Sequence, residues 1–431
     1  MNLENKLFKN ALIYIIGGIL AHSISYLLMP VLTRYLSPAD YGIVYVFNSI
    51  MFFFIPVVGL QTDTYFARHY FEFKKDAFAE HVGGIFKVIL FALIIVLSFV
   101  YVFRNQVSSS FAVSKNVIFI CVFVSVATVV GTLVLRYYQM ENKANNYMFI
   151  IIITTLLNLI LSLLLVVYFK LGWKGRIIGI AISVFLQAIV SIIILYKKGV
   201  VKFKLNYNHT KEIIFFGFPL LIGAMSGWVV NLVDKLFITK MVSISATGIY
   251  GIGASMGMIM GLLSDSFCRA WVPYFFKNIG ENSNEKNIKI VKLTYLFIGA
   301  VIFASFAVAL FSYIFIKYFI AKEYFQSYKY VIWISLGQGI AGINSIFVYY
   351  LLYEKKNFLI SGIALTSAVI NLILNYVLIK TFGTIGAAYT IFFTFLTGAI
   401  ITISFSARYH KMPWLFFLDR NILTGEKNDR I

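Results

Sequence analysis

A few ionisable residues fall among apolar residues in this chain, and these have chemistry that can be used. Asn231, Asp234 and Lys235 follow Trp228 at intervals of three to four residues, so they share one face of a helix. An ionisable group in lipid is costly, and such groups therefore face a protein partner or a water-filled cavity. Lys235 can attract an anionic ligand, and Asp234 can position it or take up a proton. The alternative is a polar pair that only packs helices together.

Two further pairs of opposite charge lie at the ends of apolar segments. Asp63 and Arg68 lie at the end of the second apolar segment, 41–64. Asp265 and Arg269 lie at the end of the eighth, 246–271. Residues four apart on a helix can pair, as Asp265 and Arg269 would. We predict either a gate that opens when such ions separate or static pairs that anchor helix ends. Arg34 and Lys240 lie in the connectors after the first and seventh segments. The predicted substrate pathway consists of these two cations with Arg68, Lys235, Arg269 and the neutral Asn231.

His22 and two lines of small polar residues are weaker candidates. His22 occupies a position in the first segment equivalent to that of Trp228, and imidazole titrates near neutral pH. It is either a proton sensor or a hydrogen-bonded packing residue. Helical spacing also aligns Thr154, Asn158 and Ser162, and in the second half Ser367, Asn371 and Asn375. Such lines commonly form hydrogen bonds between membrane helices, so packing is favoured over sugar binding.

The elements that position these residues follow from composition. Of the 431 residues 60% are hydrophobic and 13% charged, with mean hydropathy +0.86, whereas a soluble domain carries about 25% charged residues. Apolar blocks of roughly 20 residues match the thickness of a bilayer crossed by a helix. The sequence therefore predicts transmembrane helices at 10–33, 41–64, 82–103, 116–138, 146–169, 175–196, 212–239, 246–271, 291–316, 329–352, 358–380 and 384–407.

Charge distribution predicts the orientation. Most of the 37 Lys and Arg residues fall in the loops that are cytoplasmic if the N-terminus is cytoplasmic, as membrane topology favours. Both termini are then cytoplasmic. The net charge of +20 is explained by this bias and by attraction to an anionic leaflet, so nucleic acid is not an expected partner. Cys121 and Cys268 both fall in apolar segments and suit neither a disulfide framework nor a zinc site, and no cofactor is expected.

An internal repeat divides the chain. The cation-to-glycine connector Arg34 to Gly42 matches Lys240 to Gly248 at an offset of 206 residues, while Glu141-Asn-Lys143 matches Glu354-Lys-Lys356 at 213. We therefore predict an all-α polytopic membrane protein with two six-helix parallel repeats, residues 1–205 and 206–431, around a central cavity. Parallel-repeat transporters relate their halves by an axis along the membrane normal and bind substrate between them.

The same segments resemble a known family. Leu32-Thr-Arg-Tyr-Leu-Ser-Pro-Ala-Asp-Tyr-Gly42, the stretch Leu60 to Tyr70, and Asp234 to Lys240 followed by Gly248-Ile-Tyr250 are similar to the polysaccharide transporter family. This family comprises the O-antigen and capsule flippases of the multidrug/oligosaccharidyl-lipid/polysaccharide exporter superfamily. The resemblance implies transfer of an undecaprenyl-diphosphate-linked oligosaccharide from the cytoplasmic to the outer leaflet of a bacterial inner membrane. It further implies a monomer with anionic lipid-linked glycan and membrane lipids as partners, and with polysaccharide polymerase and chain-length proteins beside it.

Three alternatives remain at this point. A multidrug or cation antiporter of the same superfamily would favour surplus carboxylates, whereas cations outnumber Asp63, Asp234 and Asp265 along the expected pathway. A lipid II flippase is close in kind, but such proteins typically carry two further helices. A membrane enzyme such as a polysaccharide polymerase would need a site motif, and the sequence contains no phosphate-binding loop or metal cluster. We expect a transporter and not an enzyme.

Overall fold

The structure is a computed structural model that describes residue 17 and residues 26–111, 113–202, 207–279 and 284–414. Within these ranges the chain is almost entirely helical and contains no strand. Helix α1 covers residues 26–35 of the described chain. The remaining helices are α2 Pro38–Gly59, α3 Thr62–His69, α4 Lys75–Val102, α5 Arg104–Phe111, α6 Lys115–Met140, α7 Ala144–Leu163, α8 Gly172–Lys197, α9 Tyr207–Leu232, α10 Asp234–Met241, α11 Ile244–Gly257, α12 Ile259–Ile279, α13 Asn284–Phe319, α14 Tyr328–Tyr353, α15 Asn357–Phe382 and α16 Thr384–Tyr409.

The predicted all-α membrane fold is confirmed. Eleven stretches in the described part of the chain are long and apolar enough to cross a membrane, and each overlaps one of the predicted segments from the second to the twelfth. The first predicted segment, 10–33, lies largely outside the described residues, and its described end is helical to residue 35. Large apolar side chains point away from the protein, as with Phe303 and Phe358, which are 76% and 94% exposed. Lipid is the medium that suits such a surface.

Two predicted segments end earlier than the apolar pattern suggests. Helix α2 begins with a capping box in which Ser37 and Asp40 bond each other's backbone N–H, and it ends at Gly59. Leu60 and Gln61 then adopt left-handed backbone angles, φ 42° and 53°, which a continuing helix does not tolerate. Residues 62–64 therefore belong to α3. The seventh segment is likewise interrupted at Val233, where α9 gives way to α10.

The connectors matched in the predicted repeat have the same backbone shape. Asn142 and Lys355, at the centres of the two matched Glu-x-Lys motifs, both have positive φ, 55° and 57°. Gly172 and Gly383 begin the similar sequences Gly172-x-x-Gly175 and Gly383-x-x-Gly386, and both have positive φ, 57° and 66°. Left-handed angles are uncommon outside glycine, so their recurrence at Asn142 and Lys355, 213 residues apart, is consistent with a duplicated architecture.

The chain forms two compact units. The first contains residues up to Ile252 together with Phe315–Ser327 and Asn375–Ala387, and the second contains Gly253–Ile314, Tyr328–Leu374 and the residues from Ala388 onward. These differ from the halves predicted at residue 205, which remain a prediction. In the first unit α2 packs on α6, where Ser125 Oγ donates to the Met51 carbonyl at 2.9 Å. In the second, α12 packs on α14, where Cys268 Sγ lies 3.8 Å from the Gly342 carbonyl.

Candidate functional site

Asp234 and Lys235 form a buried ion pair at the break between α9 and α10. Lys235 Nζ lies 3.2 Å from Asp234 Oδ1, and the two residues are 4% and 1% exposed. The Tyr250 hydroxyl donates to Asp234 Oδ2 at 2.5 Å. Asp234 Oδ1 also accepts the Lys235 backbone N–H at 2.8 Å, and so satisfies a donor that the helix break leaves without an intrahelical acceptor. The carboxylate is thus occupied on both oxygens.

Threonines hold the backbone of Lys235 in place. Thr239 Oγ1 donates to the Lys235 carbonyl at 2.8 Å, and Thr239 and Thr247 share a hydrogen bond of 2.7 Å. The ammonium group lies 5.9 Å from the centre of the Tyr250 ring. Burial of a charge is tolerated when it is paired and hydrogen-bonded, as it is here. In this structure the Lys235 ammonium is engaged within the protein.

Two other members of the same helix face make contacts with neighbouring groups. Trp228 Nε1 donates to the Ser49 carbonyl of α2 at 2.8 Å, and its ring packs edge-on against Phe53. Asn231 Nδ2 donates to the Gly227 carbonyl one turn earlier at 2.9 Å. Trp228 therefore joins α9 to α2, while Asn231 is half-buried.

Asp63 and Arg68 contact different residues. Asp63 lies on α3 and accepts from Arg136 of α6 at 2.8 Å, a partner that sequence reasoning did not identify. Arg68 is exposed, and its guanidinium lies 5.3 Å from the centre of the Phe216 ring on α9. The Asp63–Arg136 pair joins two helices of the first unit.

The remaining predicted site residues are mostly exposed. Asp265 and Arg269 both lie on α12, and no ion pair within 4.0 Å joins them in the described part of the chain. Arg34 and Lys240 are exposed at the ends of α1 and α10. His22 lies outside the described residues. The pathway and gating roles of these residues therefore remain predictions.

The two glycines singled out by the repeat, Gly42 and Gly248, lie at one close crossing of α2 and α11. A Cβ atom on Gly42 would lie 1.9 Å from the Ile244 carbonyl oxygen, and one on Gly248 would lie 1.9 Å from the Pro38 carbonyl oxygen. Backbone therefore meets backbone, which only glycine allows. Three residues further along α11, Gly251 packs on the Tyr45 ring, 2.2 Å from where its Cβ would be.

Arg176, on α8, was not among the predicted site residues. Its Nη1 donates to Asn158 Oδ1 and to Ser162 Oγ, both at 2.5 Å and both on α7. No ion pair to Arg176 occurs among the described residues. Tyr41 and Tyr45 of α2 are close enough to interact with it electrostatically. Arg176 is half-buried. Its hydrogen-bond acceptors among the described residues are neutral oxygens.

Small residues bring α7 and α8 together at this point. A Cβ on Gly175 would lie 2.9 Å from the Leu165 carbonyl, and one on Gly179 would lie 2.9 Å from Ser162 Oγ. Directly after Ser162 and Leu163, α7 continues as a π-helical turn, Leu164–Tyr168. π-helical turns are rare in proteins, and those that occur are frequently found at functional sites. The glycines let Arg176 reach the Asn158 and Ser162 side chains.

A histidine cluster at the junction of α3, α4 and α9 was also missed. Glu212 lies 3.8 Å from His69 Nε2 and 3.6 Å from His81 Nε2. His209 stacks on His81 with ring centres 3.8 Å apart. His69 and His81 are 7% and 5% exposed. Two imidazole rings on different helices therefore share one carboxylate.

The connector between α6 and α7 holds a third network. The Tyr70 hydroxyl donates to Glu141 Oε1, and Lys143 Nζ lies 2.7 Å from Glu141 Oε2. The hydrogen bonds from Lys143 and then Tyr70 lower the pKa of the Glu141 carboxyl below its ordinary value. Burial and the hydrogen bond to Glu141 raise the pKa of Tyr70. The matched connector of the second unit also uses its glutamate, since Glu354 Oε1 lies 2.7 Å from His410 Nδ1.

One sequence signal was available for Arg176. No Asp or Glu occurs between Glu141 and Glu212, so the helix pair α7–α8 carries cations without any acid of its own. Nothing comparable marks the histidine cluster, whose members lie on three helices. In the described part of the chain no group of three His, Cys, Asp or Glu residues is arranged to hold a metal ion.

Comparison with solved structures shows the fold. The structure is similar to that of the lipid II flippase MurJ in an inward closed conformation, with a TM-score of 0.73, 19% identity, and coverage of 95% of this chain and 90% of that one. It is also similar to an inward-facing multidrug resistance MATE family transporter of the MOP superfamily, with a TM-score of 0.60, 12% identity, and coverage of 90% and 94%. The fold is therefore that of MurJ and MATE transporters.

Two curated relatives come from Haemophilus influenzae. One, Lsg locus putative protein 1, is 23% identical over 279 residues, and the other, an uncharacterized membrane protein, is 26% identical over 292 residues. The alignments span 63% and 64% of this chain and only 66% and 67% of the relatives' own lengths. The family model described as polysaccharide biosynthesis protein matches residues 7–279, well over half of the chain. The resemblance found in the sequence is thus confirmed, and the chain belongs to this polysaccharide biosynthesis protein family.

Proposed function

We propose that this protein is a flippase for a lipid-linked oligosaccharide. It moves an undecaprenyl-diphosphate-linked repeat unit of O-antigen, capsule or exopolysaccharide from the cytoplasmic to the outer leaflet by alternating access. The observation that carries the proposal is that one chain combines a polysaccharide biosynthesis family match with the fold of a lipid II flippase along 95% of its length. The membrane is the bacterial inner membrane, with both termini cytoplasmic.

The charges of the described residues support an anionic substrate. Asp234 and Asp63, two of the three pathway carboxylates, are engaged with Lys235 and Arg136. The cations Arg34, Arg68, Lys240 and Arg269 are exposed. Exposed cations attract a diphosphate and repel an organic cation. The same balance makes a multidrug antiporter the weaker alternative.

The proposal also assigns different roles to the pathway residues. The exposed cations, with half-buried Asn231, guide the substrate, while Asp265 takes part in gating. Lys235 and Asp234 maintain the helix break, and His22 is a proton-coupling residue. Polysaccharide polymerase and chain-length proteins are partners of a monomeric flippase, and no catalytic step is assigned to the chain.

The test is transport by purified protein in proteoliposomes. A fluorescent polyprenyl-diphosphate oligosaccharide is placed in both leaflets, and membrane-impermeant reductant bleaches the outer one. Protein-dependent bleaching of the inner pool supports the flippase, and its response to an imposed proton gradient shows whether transport is proton-coupled. If the inner pool stays protected while the protein drives efflux of an organic cation, the antiporter is the function.

Single variants sharpen this test. Arg68→Gln should slow bleaching with normal yield of folded protein, because it removes an exposed cation. Lys197→Gln, on the exposed C-terminal turn of α8, is the matched control with the same charge change outside the assigned pathway. Equal rates in the two variants would remove Arg68 from the pathway.

A further inference from the structure

Arg176 is a cation at the start of a membrane-spanning helix whose charge no described residue neutralises. It is half-buried on α8, and its hydrogen-bond acceptors are the Asn158 amide oxygen and the Ser162 hydroxyl, each 2.5 Å away. A charge removed from water is expensive unless it is paired or finds a ligand. The neutral oxygens orient the guanidinium but do not compensate its charge.

Two acids of the first compact unit have other partners. Asp40 of α2 lies near the start of α8, since its Oδ1 is 3.9 Å from where a Cβ on Gly172 would be, and its Oδ2 accepts from the Ser37 hydroxyl and backbone N–H. No ion pair within 4.0 Å joins Asp40 to Arg176 among the described residues. Asp234 is bonded to Lys235 and Tyr250. Since α7 and α8 themselves contain no Asp or Glu, the helix pair provides no counter-ion to Arg176.

Other positive groups reinforce the field at this end of α8. The helix begins at Gly172, so Arg176 follows its N-terminus by little more than one turn, where the helix dipole favours anions. Lys174 is exposed two residues earlier.

Two tyrosines of α2 lie beside Arg176. The Tyr41 ring lies 5.8 Å from the Tyr45 ring, and both belong to the same niche as Arg176. Tyrosine hydroxyl groups donate hydrogen bonds to phosphate oxygens.

The guanidinium also has donors to spare. Both hydrogen bonds of Arg176 come from Nη1, which leaves the Nε and Nη2 edge of the fork without a partner in the described residues. This edge has the two parallel N–H groups that bind a phosphate group in bidentate fashion. A lysine provides the charge but not the fork.

We propose that Arg176 binds a phosphate group of the polyprenyl-diphosphate carrier, with Asn158 and Ser162 orienting its guanidinium. The niche consists of Arg176, Asn158, Ser162, Tyr41 and Tyr45 and lies within the first compact unit. The assignment rests on the proposed function for the identity of the lipid. The niche requires a ligand that carries a phosphate monoester or a diphosphate group.

Binding is measured with the full chain in nanodiscs of phosphatidylcholine, by native mass spectrometry. The probes are polyprenyl diphosphate, polyprenol without phosphate, inorganic pyrophosphate and phosphatidylglycerol. Polyprenyl diphosphate should bind far more tightly than polyprenol, and inorganic pyrophosphate should compete with it. Equal binding of polyprenol, or equally tight binding of phosphatidylglycerol, would overturn the assignment to the carrier diphosphate.

The variant Arg176→Gln should weaken polyprenyl diphosphate binding at least about tenfold, the loss expected when a charge-assisted hydrogen bond is removed. Arg176→Lys should lie between this variant and wild type. Lys197→Gln, at an exposed lysine on the opposite end of the same helix, is the control and should change binding less than about threefold because a distant surface charge is screened. Unchanged binding in Arg176→Gln, with normal elution of the folded protein, would overturn the inference.

The two proposals fail separately. If wild-type protein transports the labelled glycolipid and Arg176→Gln transports and binds it equally well, the flippase stands and the Arg176 site does not. If wild-type protein binds polyprenyl diphosphate through Arg176 but moves no glycolipid, the site stands and the flippase does not.

Discussion

Lys235 and Arg176 are two cations of the same compact unit with opposite surroundings. Lys235 is 4% exposed and lies 3.2 Å from a carboxylate that also accepts from Tyr250. Arg176 is half-buried, and its hydrogen-bond acceptors among the described residues are an amide oxygen and a hydroxyl. The first charge is neutralised within the protein, while the second is available to a ligand.

This difference shows that polarity within an apolar segment is an incomplete guide to function. Lys235 is the more conspicuous residue in the sequence because it shares a helix face with Asn231 and follows Asp234. Its partners nevertheless give it a structural role in this conformation. Arg176 carries no such pattern, yet its uncompensated charge gives it the greater capacity to bind an anion.

The second half of the predicted repeat provides a further contrast. Asn371 and Asn375 match Asn158 and Ser162, but Asn371 Nδ2 donates to Thr394 Oγ1 at 3.2 Å, where α7 instead meets Arg176. Both asparagines are buried, 1% and 0% exposed. The predicted repeat therefore keeps the polar line in both copies, and in one copy this line meets a cation.

The largest effect is expected from Asp234→Ala. It leaves the Lys235 ammonium buried without its counter-ion, which should lower the free energy of unfolding by about 3–5 kcal/mol. The measurement is unfolding by SDS in mixed micelles, followed by tryptophan fluorescence. The double variant Asp234→Ala/Lys235→Met should recover most of the loss, because no charge then remains buried.

Asp76→Ala is the control for this comparison. Asp76 pairs with Lys202 at 2.7 Å on the surface, where water screens the charges, so its loss should leave unfolding unchanged. If Asp234→Ala were as mild as Asp76→Ala, the Lys235 network would not be a structural element, and the contrast with Arg176 would fail.

Tyr250→Phe tests the second bond to the Asp234 carboxylate. Removal of the hydroxyl that donates at 2.5 Å should cost about 1.5–3 kcal/mol, the range for hydrogen bonds to charged groups. The same SDS titration measures it. Tyr196→Phe, at a 68% exposed tyrosine, should have no effect. Equal stability of the two variants would show that Lys235 alone sustains the carboxylate.

Gly179→Ala tests the packing that positions Arg176. The added Cβ would lie 2.9 Å from Ser162 Oγ and 3.0 Å from its backbone nitrogen, so α7 and α8 must separate slightly. Overpacking of this kind costs about 1–3 kcal/mol. Gly362→Ala is the matched control, since nothing lies within 4 Å of its Cβ. Gly179→Ala should also weaken polyprenyl diphosphate binding. Unchanged binding in this variant would show that the Arg176 niche tolerates the separation of α7 and α8.

The smallest effect concerns Glu141, a paired charge outside the membrane segments. Because its folded pKa is lowered, the group stabilises the protein above its ordinary pKa of 4.5, and this stability is lost as the pH falls through the folded value. The amount should stay below about 1 kcal/mol because the Lys143 pair is solvent-screened. Wild type should exceed Glu141→Gln in SDS resistance at pH about 6, with the gap closing under acid conditions. A constant gap would exclude this linkage.

Much of the fold was predictable because it depends on composition over long stretches. In the described part of the chain eleven apolar segments are helices of membrane-spanning length, since backbone groups in lipid must bond within their own segment. The breaks were not predictable. Leu60 and Gln61 are ordinary residues for a helix, and their left-handed angles arise where α3 turns away to pair Asp63 with Arg136.

The candidate site was predictable only in part, because it brings together side chains from different helices. Asp234 and Lys235 were identified from their spacing, but the Tyr250 hydroxyl that completes their network comes from the next helix, 16 residues away. The histidine cluster brings together three helices through Glu212. Such groupings depend on which helix faces meet.

The sequence by itself determined that this chain spans a membrane many times, because hydrophobic length is a property of the chain alone. Only the tertiary structure decided which charges are neutralised. Whether a cation is free to bind an anion depends on side chains brought within about 4 Å by helix packing, and that distance is set by contacts such as those of Gly175 and Gly179. Lys235 and Arg176 are both cations near apolar residues in the sequence. The fold adds the Tyr250 hydroxyl to the Asp234–Lys235 pair, and it places an amide oxygen and a hydroxyl beside Arg176.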